Sequence, residues 1–307
     1  MDARALVYEQ YGDPSVLRSV QTWVPEPGPR QVRVRVKAAG VNPIDAKLRA
    51  GAFSGGLPIF APVRVGSEFS GIVDAVGEQV TDFAPGDAVL GSAPGRDATA
   101  TALISTPDCL VHKPEQVDWA VAAGVSSAGQ AALGAVRQLG ITQGETVVVH
   151  GASGGVGSNA VQLAHAAGAA RVIGTASPRN HDYLASLGVE PVAYGPGLAG
   201  RLRSAAPGGV DKVLDLVGAE AVEATLPLVS DAPSQILTFQ PFVDPSLEIP
   251  FFMFRFDHEL LTELAGLHGS GALRIPVQEV VPLARAHRAH ELIETEHVRG
   301  KVVIDTE

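Results

Sequence analysis

One glycine-rich segment, Gly151-Ala152-Ser153-Gly154-Gly155-Val156-Gly157, constrains the fold of this chain more than any other feature. It follows the apolar run 146–149, which has the length of a buried strand, and precedes the helix-compatible stretch 159–167. At such a turn, glycines let the backbone approach a pyrophosphate, and the unpaired N–H groups at the helix start stabilise its negative charge. Alternatively, the glycines only form a tight turn. A second strand about 20 residues further on favours dinucleotide binding. The residues predicted to face the pyrophosphate are Ser153, Gly154, Gly155 and Val156.

The end of the second strand, 171–175, indicates which dinucleotide binds. Proteins that bind NAD usually place Asp or Glu there, and that carboxylate would repel a 2′-phosphate. Here the first acidic residue after the strand is Asp182. The hydroxyls of Thr175 and Ser177 and the guanidinium of Arg179 suit a 2′-phosphate, so we expect the cofactor to be NADPH. The alternative is that Arg179 is an ordinary solvated residue in the first turn of a helix.

The sequence pattern changes near residue 114. Before it, short strand-like segments such as 32–38 alternate apolar and basic residues, which predicts a curled antiparallel sheet. After it come helical stretches near 115–123 and 129–139, and then apolar runs that alternate with helix-length intervals. Repeated βα units predict an α/β, doubly wound parallel sheet covered on both faces. A length of 307 residues suits two domains.

Composition excludes several classes of protein. The net charge is −10 and no stretch gathers Lys and Arg into a stripe, so nucleic acid is not expected as a partner. The single cysteine, Cys109, rules out an internal disulfide framework and a four-cysteine zinc site. No apolar run has the length of a membrane span or forms a signal-peptide core, so we expect no membrane association and a cytoplasmic location.

Four further segments carry motifs: Ala39-Gly40-Val41-Asn42-Pro43-Ile44-Asp45-Ala46-Lys47, Gly66-Ser67-Glu68-Phe69-Ser70-Gly71, Phe83-Ala84-Pro85-Gly86-Asp87-Ala88-Val89 and Val298-Arg299-Gly300-Lys301-Val302-Val303. With the glycine segment, they resemble the medium-chain dehydrogenase/reductase superfamily, and within it the zinc-free quinone oxidoreductases similar to zeta-crystallin and the related enone reductases. The resemblance implies a GroES-like β-rich catalytic domain of residues 1–118 and 256–307. It also implies an NADP-binding Rossmann domain of residues 119–255.

Short-chain dehydrogenases share the glycine spacing but need a Tyr-x-x-x-Lys pair. Neither Tyr183 nor Tyr194 has a lysine four residues later, so that family is disfavoured.

The resemblance also bears on metal binding. Zinc-dependent relatives hold their catalytic metal with a cysteine and a histidine where this chain has Asn42 and Ser67. His287 and His290 have a spacing that metals can use. The interpretation we favour is two polar residues on an exposed helix face, since no third ligand lies nearby in the sequence. We therefore predict no bound metal.

Without a Lewis acid to polarise an alcohol oxygen, acceptors activated by conjugation are favoured, namely quinones and α,β-unsaturated carbonyls. Hydride transfer to them leaves negative charge on an oxygen, which hydrogen-bond donors stabilise. Related reductases place such groups in the segment 42–47. We predict that Asn42 offers amide donors, Asp45 orients a neighbour, and Lys47 stabilises the oxyanion or a cofactor phosphate. Alternatively, Asn42 and Asp45 only cap a helix and Lys47 is solvated.

Further cofactor neighbours are expected where other strands end. Tyr194 matches a tyrosine that packs near the adenosine phosphate in similar proteins. Ligands bind beyond the carboxyl ends of parallel strands, which indicates Val217, Phe239 and Gln240 as neighbours of the ribose and nicotinamide. Relatives commonly have a Thr-Ala pair before the helix that leads into the nucleotide domain, and here the hydroxyl of Ser126 or Ser127 could replace it.

These observations predict an NADPH-dependent, zinc-independent reductase that acts on a small quinone or enone. One alternative is a dedicated enone or enoyl reductase that tailors a biosynthetic intermediate. Another is a non-catalytic NADPH-binding protein of the crystallin kind. Six phenylalanines fall within residues 239–256, where they either wall a site for a flat acceptor or form a buried strand or dimer seam. We expect a homodimer.

Overall fold

The computed structural model of the chain describes residues 1–93, 95–230, 234–241 and 243–307. One of the six phenylalanines noted above, Phe242, lies outside the described residues. The chain forms two compact units. The first consists of Met1–Ser127 and Phe256–Glu307, and the second of Ala128–Arg255.

The strands are β1 (Asp2–Tyr8), β2 (Arg18–Trp23), β3 (Val32–Val41), β4 (Val63–Arg64), β5 (Glu68–Val76), β6 (Ala88–Ser92), β7 (Ala102–Ser105), β8 (Leu110–His112), β9 (Thr146–His150), β10 (Arg171–Ala176), β11 (Glu190–Ala193), β12 (Lys212–Asp215), β13 (Ile236–Thr238), β14 (Val277–Pro282) and β15 (Lys301–Asp305). The α-helices are α1 (Pro43–Arg49), α2 (Trp119–Ala123), α3 (Ser126–Leu139), α4 (Gly155–Ala166), α5 (His181–Ser186), α6 (Leu198–Ala205), α7 (Ala219–Thr225), α8 (His258–Gly269) and α9 (Ala286–Glu294). Short 3-10 turns lie at Pro14–Val16, Pro107–Cys109, Pro178–Asn180, Leu226–Leu228, Pro245–Leu247 and Leu283–Arg285.

The first unit is the β-rich one. Its larger sheet has the order β14-β15-β3-β5-β6-β8, with β7 also paired to β3, and a smaller sheet has the order β2-β1-β4. Within β3, Val32, Val34 and Val36 are buried and Arg35 is exposed, as the period-two pattern predicts. Arg33 departs from the pattern, because its guanidinium is buried in ion pairs with Glu26 and Asp74. The pairings around β3 are antiparallel, but β14 and β15 run parallel, so the sheet is not antiparallel throughout. Helix α2 packs on β3 and β5, and the unit continues past the predicted domain limit at residue 118.

The second unit contains a parallel five-stranded sheet with the order β11-β10-β9-β12-β13. Its central strand β9 is lined by Val147, Val148 and Val149, which are fully buried because helices cover both faces of such a sheet. The chain first adds β10 and β11 on one side of β9 and then β12 and β13 on the other. This reversal is the topological switch point of a doubly wound sheet, where ligands bind beyond the carboxyl ends of the strands. The predicted α/β fold class is confirmed.

The three helices predicted from the sequence begin at other residues than expected, and the one predicted over 129–139 begins at Ser126. The helix predicted over 115–123 begins only at Trp119, because the Asp118 carboxylate accepts a hydrogen bond from Ala120 N at 2.8 Å and caps the helix there. The helix after the glycine segment begins at Gly155, within the segment itself, and not at residue 159.

Candidate functional site

The glycine segment makes a tight turn from β9 into α4. Gly151 has a φ of +73°, a conformation that favours glycine. Gly157 allows α4 to pack closely on this turn, since a Cβ there would lie 2.3 Å from Gly151 O. Ala152 N donates to Thr175 O at 3.0 Å, which ties the turn to the end of β10. The fold therefore requires glycine at these two positions before any ligand is considered.

The start of α4 is open to an anion. Its N-cap residue is Gly154, so no side chain caps the helix, and Ser158 N donates to Gly154 O. The N–H groups of Gly155 and Val156 have no acceptor within the part of the chain that the structure describes. Gly154, Gly155 and Val156 are half-buried, so these groups are accessible. Uncapped N–H groups and the positive end of the helix dipole suit a pyrophosphate.

The Thr175 hydroxyl, a predicted phosphate contact, faces inward. His150 is fully buried at the end of β9, with Nδ1 3.1 Å from Thr175 Oγ1 and Nε2 2.7 Å from Thr225 Oγ1. Thr225 Oγ1 donates to the carbonyl oxygen of Ala221, so it accepts from His150 Nε2–H, and Thr175 donates to Nδ1. Contrary to the expectation, Thr175 cannot also donate to a 2′-phosphate, because its one hydroxyl hydrogen is used inside the protein.

Ser177 and Arg179 lie beyond the end of β10, where they were expected. Ser177 is half-buried at the start of the 3-10 turn Pro178–Asn180, and Arg179 is exposed within it. No carboxylate follows β10 before Asp182, so the charge at this end of the strand suits a phosphate. The sequence did not point to Asn180, whose buried amide contacts both Ser153 and Ser177.

Asp215, also missed by the sequence analysis, organises the loops after β12 and β13. Its buried carboxylate accepts hydrogen bonds from Val217 N at 2.9 Å, Gly218 N at 3.0 Å and Thr238 Oγ1 at 2.6 Å. Burial raises the pKa of Asp215, and these three donors lower it. Strand β12 ends at Asp215 itself, so this carboxylate lies at the carboxyl end of the strand.

The predicted neighbours at these strand ends have different environments. Val217 and Tyr194 are exposed, with 59% and 51% of their surface accessible. Gln240 Nε2 donates to Leu216 O at 3.2 Å, which joins the loop after β13 to the loop after β12. Phe239 stacks on Phe252 with ring centroids 4.7 Å apart. Phe239 is half-buried, so an apolar face borders this end of the sheet.

In the first unit, Asn42 belongs to a buried polar network that the sequence did not reveal. Asn42 Nδ2 donates to Glu68 Oε1 at 2.8 Å, and Asn42 Oδ1 accepts from Lys301 Nζ at 2.6 Å. Lys301 Nζ also donates to Glu68 Oε1 at 2.7 Å and to Val41 O at 3.0 Å. The ammonium and the carboxylate thus fix the orientation of the Asn42 amide. One N–H of Asn42 goes to Glu68, and the amide has a second to offer.

Glu68 also holds the start of α3. Its Oε2 accepts from Ser127 N at 2.7 Å, a favourable place for a carboxylate at a helix N-terminus. Ser126 is fully buried and its Oγ lies 2.9 Å from Ser92 Oγ, whereas Ser127 is half-buried and its Oγ lies 3.5 Å from Ser67 Oγ. Of the two serines considered as replacements for the usual Thr-Ala pair, only Ser127 has a partly accessible side chain.

Asp45 and Lys47 differ in their exposure to solvent. Asp45 is buried and accepts from Asn42 N at 2.9 Å, which is part of a capping box at the start of α1. Burial raises the pKa of Asp45 to about 6, while the Asn42 N–H and the Lys301 ammonium oppose the rise. Lys47 is exposed on the same helix. The structure therefore brings Asn42 and Asp45 together and does not place Lys47 in their network.

The histidine pair on α9 does not share one exposed face. His287 is exposed, but His290 is fully buried, and burial lowers its pKa to about 3. Within residues 1–93, 95–230, 234–241 and 243–307, no group of three or more His, Cys, Asp or Glu side chains could hold a metal ion. In the same ranges, none of the helices is both long enough and apolar enough to span a bilayer.

This chain is similar to known dehydrogenases and oxidoreductases. A family model described as an alcohol dehydrogenase GroES-like domain matches residues 28–152, and one described as a zinc-binding dehydrogenase matches residues 182–304. A quinone oxidoreductase of Pseudomonas aeruginosa is 30% identical over 98% of this chain and 99% of its own length. The chloroplastic NADPH-dependent alkenal/one oxidoreductase of Arabidopsis thaliana is 29% identical over 99% of this chain and 79% of its own length. The solved structure of the quinone oxidoreductase from Coxiella burnetii has a TM-score of 0.90 and 33% identity, with 100% of both chains covered.

Proposed function

Because this chain belongs to the quinone oxidoreductase family of the medium-chain dehydrogenase/reductase superfamily, we propose that it is an NADPH-dependent, zinc-independent reductase of quinones or α,β-unsaturated carbonyls. The observation that carries the proposal is the uncapped start of α4, followed by a strand end with no acidic residue and with Arg179 close behind it. NADPH, when bound, supplies the hydride.

The residues proposed to contact the cofactor fall into groups according to the part of NADPH that they bind. Ser153, Gly154, Gly155 and Val156 bind the pyrophosphate through the open helix start. Ser177 and Arg179 bind the 2′-phosphate, since a hydroxyl and a guanidinium both donate to phosphate oxygens. The residues proposed to line the rest of the nucleotide are Tyr194, Val217, Phe239 and Gln240.

On the substrate side, we assign Asn42 the role of hydrogen-bond donor to the acceptor oxygen. The amide is already oriented by Glu68 and Lys301, so it stabilises developing negative charge without reorganisation. Asp45 is a positioning residue, because its carboxylate binds the backbone N–H of Asn42. Lys47 is exposed, so the role proposed for it is limited to contacting an oxyanion or a cofactor phosphate at the surface.

Zinc independence follows from the chemistry of the donors. Residues 42 and 67 offer an amide and a hydroxyl, which are poorer zinc ligands than a thiolate and an imidazole. The Glu68 carboxylate is already neutralised by the Lys301 ammonium. The homodimer and the cytoplasmic location stay predictions from the sequence.

Calorimetric titration of the purified protein with NADPH and NADH tests the cofactor assignment. We expect a Kd for NADPH at least about tenfold below that for NADH, which is a difference of about 1.4 kcal/mol. Arg179→Ala should raise the Kd for NADPH and leave the Kd for NADH unchanged, and Arg203→Ala, an exposed arginine on α6, is the matched control. Lack of affinity for both nucleotides would overturn the proposal.

The substrate class is tested by NADPH oxidation with simple quinones and simple enones. Turnover of many members of both classes supports the proposed reductase. Turnover confined to one acceptor supports the dedicated biosynthetic reductase, and tight binding of NADPH without any turnover supports the non-catalytic alternative.

A further inference from the structure

Asn180 contacts two segments of the chain that are proposed to bind different phosphates of the nucleotide. It is buried, with 4% of its surface accessible, at the end of the turn that follows β10. Its Nδ2 lies 2.9 Å from Ser153 Oγ and 3.4 Å from Ser177 Oγ. Ser153 belongs to the glycine segment, and Ser177 to the segment proposed to meet the 2′-phosphate. A single amide nitrogen therefore contacts the serine of each phosphate-binding segment.

The direction of these hydrogen bonds decides what the serines can bind. The Asn180 nitrogen has two hydrogens and no acceptor capacity, so both serine oxygens accept from it. Each serine hydroxyl then keeps its own hydrogen. Within the described part of the chain, neither hydroxyl donates that hydrogen to another protein group. Two hydroxyl donors without acceptors, one on each segment, suit two negatively charged groups.

The backbone fixes the Asn180 side chain in this position. Pro178 restricts φ at the start of the turn, and Asn180 N donates to Ser177 O at 2.9 Å. Because Asn180 is buried, water does not compete for its amide. The amide is therefore held in its donating position before a ligand arrives.

We propose that Asn180 is a positioning residue for a nucleotide that carries both a pyrophosphate and a 2′-phosphate. It turns the Ser153 and Ser177 hydroxyls into donors at the same time, and so couples the binding of the two groups. This inference rests on the proposed NADPH-binding function and deepens it.

The test is a set of Kd values for NADPH and NADH, measured by calorimetry on the full chain without any substrate. Asn180→Ala should raise the Kd for NADPH about tenfold, because the two serine hydroxyls are no longer held as donors to the phosphates. The Kd for NADH should rise less, because NADH lacks the 2′-phosphate. In a Ser153→Ala, Ser177→Ala background, adding Asn180→Ala should change either Kd less than about twofold, because no hydroxyl remains to be oriented.

A second variant keeps the size of the side chain and reverses its hydrogen bonding. In Asn180→Asp, the carboxylate accepts, so both serine hydroxyls donate to it and turn away from the ligand. We expect a larger rise in the Kd for NADPH than Asn180→Ala gives. Ser204→Ala is the control for the serine variants, since Ser204 is exposed and its hydroxyl donates to Gly200 O on α6 at 3.1 Å. Circular dichroism of each ligand-free variant checks that it is folded.

The outcomes separate this inference from the proposed function. If the unmodified protein binds NADPH tightly but Asn180→Ala leaves its Kd unchanged, the positioning role is wrong and the function stands. The role is also wrong if Asn180→Ala weakens binding equally with and without the two serines, because Asn180 then acts independently of them. If the unmodified protein binds neither nucleotide, the proposed function fails and this inference fails with it.

Discussion

Lys301 and Glu68 form a buried ion pair, with 3% and 0% of their side chains accessible and 2.7 Å between Nζ and Oε1. Glycines make room for both side chains. A Cβ at Gly40 would lie 2.6 Å from Glu68 Oε1, and one at Gly124 would lie 2.9 Å from Lys301 Cγ. Each of the two charged groups is hydrogen-bonded to more than its partner, which offsets part of the cost of removing it from water.

Lys301→Met should destabilise the protein strongly, because it leaves the Glu68 carboxylate buried without a counter-charge. We expect a loss of about 3–5 kcal/mol in the free energy of unfolding, measured by urea denaturation. Combining it with Glu68→Gln should recover much of this loss, since no buried charge then remains. A double variant no more stable than Lys301→Met would show that the charge is not the cause.

Asp45 should make the protein less stable as the pH rises, because the pKa of its carboxyl is raised in the folded state. Its pKa of about 6 lies above the ordinary value of 3.8, so its contribution is fully present below the ordinary pKa and is lost as the pH rises through about 6. Between pH 5 and pH 7 the loss is about 1 kcal/mol. Asp45→Asn should remove this pH-dependent contribution to the free energy of unfolding. The measurement compares the free energies of unfolding of the variant and the unmodified protein at each pH.

The junction between β9 and α4 depends on close packing of backbone on backbone. Gly157 is the position where this packing is tightest, because the nearest atoms to a Cβ there belong to the backbone of Gly151 and Ala152. A backbone cannot move aside as a flexible side chain can. The shape of the glycine turn therefore depends on its contact with α4 at Gly157.

Gly157→Ala should distort this turn, weaken NADPH binding by more than about tenfold in Kd, and lower stability by about 1–3 kcal/mol. Gly200→Ala on α6 is the matched control, since no atom lies within 4 Å of a Cβ there. In that helix, alanine should add up to about 1 kcal/mol of stability and leave the Kd unchanged. Measurement of both quantities for both variants distinguishes a packing effect from a general intolerance of alanine.

The buried histidines should lower the free energy of unfolding of the protein in acid. Burial lowers the pKa of His150 and His268 to about 4 and that of His290 to about 3, all below the ordinary 6.5. A group whose pKa is lowered on folding contributes stability above its ordinary pKa and loses it as the pH falls towards the lowered value. The full shift corresponds to about 3 kcal/mol of lost stability for His150 and for His268 and to about 5 kcal/mol for His290, which is large beside a typical free energy of unfolding of about 5–15 kcal/mol.

The thermal midpoint should therefore fall steeply as the pH drops from about 6.5 to about 4, followed by circular dichroism. His290→Leu should make that fall shallower, because neither ring nitrogen of His290 has a hydrogen-bond partner within the described part of the chain. His287→Leu, which replaces an exposed histidine on the same helix, should not alter the pH dependence. Equal effects of the two variants would show that burial of His290 is not the cause.

Patterns in the sequence were enough to predict the fold class and the position of the glycine turn that we propose binds the nucleotide. Both depend on local patterns: apolar runs with the period of buried strands, and glycines at a turn that needs a positive φ and close packing. The sequence also indicated the absence of an acidic residue after β10, because that requires only a strand and the residues directly following it. These features are read from neighbours along the chain.

Which polar groups meet depends on how the elements pack in three dimensions. Glu68 and Lys301 are far apart in the sequence, as are His150 and Thr225, and no local pattern pairs them, since a buried polar residue is recognisable only by the partner that satisfies it. The Thr175 hydroxyl faces inward because it hydrogen-bonds to His150 on the neighbouring strand. Asn180 reaches the glycine segment because the turn that contains it folds back on that segment. Periodicity shows which face of an element is buried, but strand order and packing determine what lies opposite it.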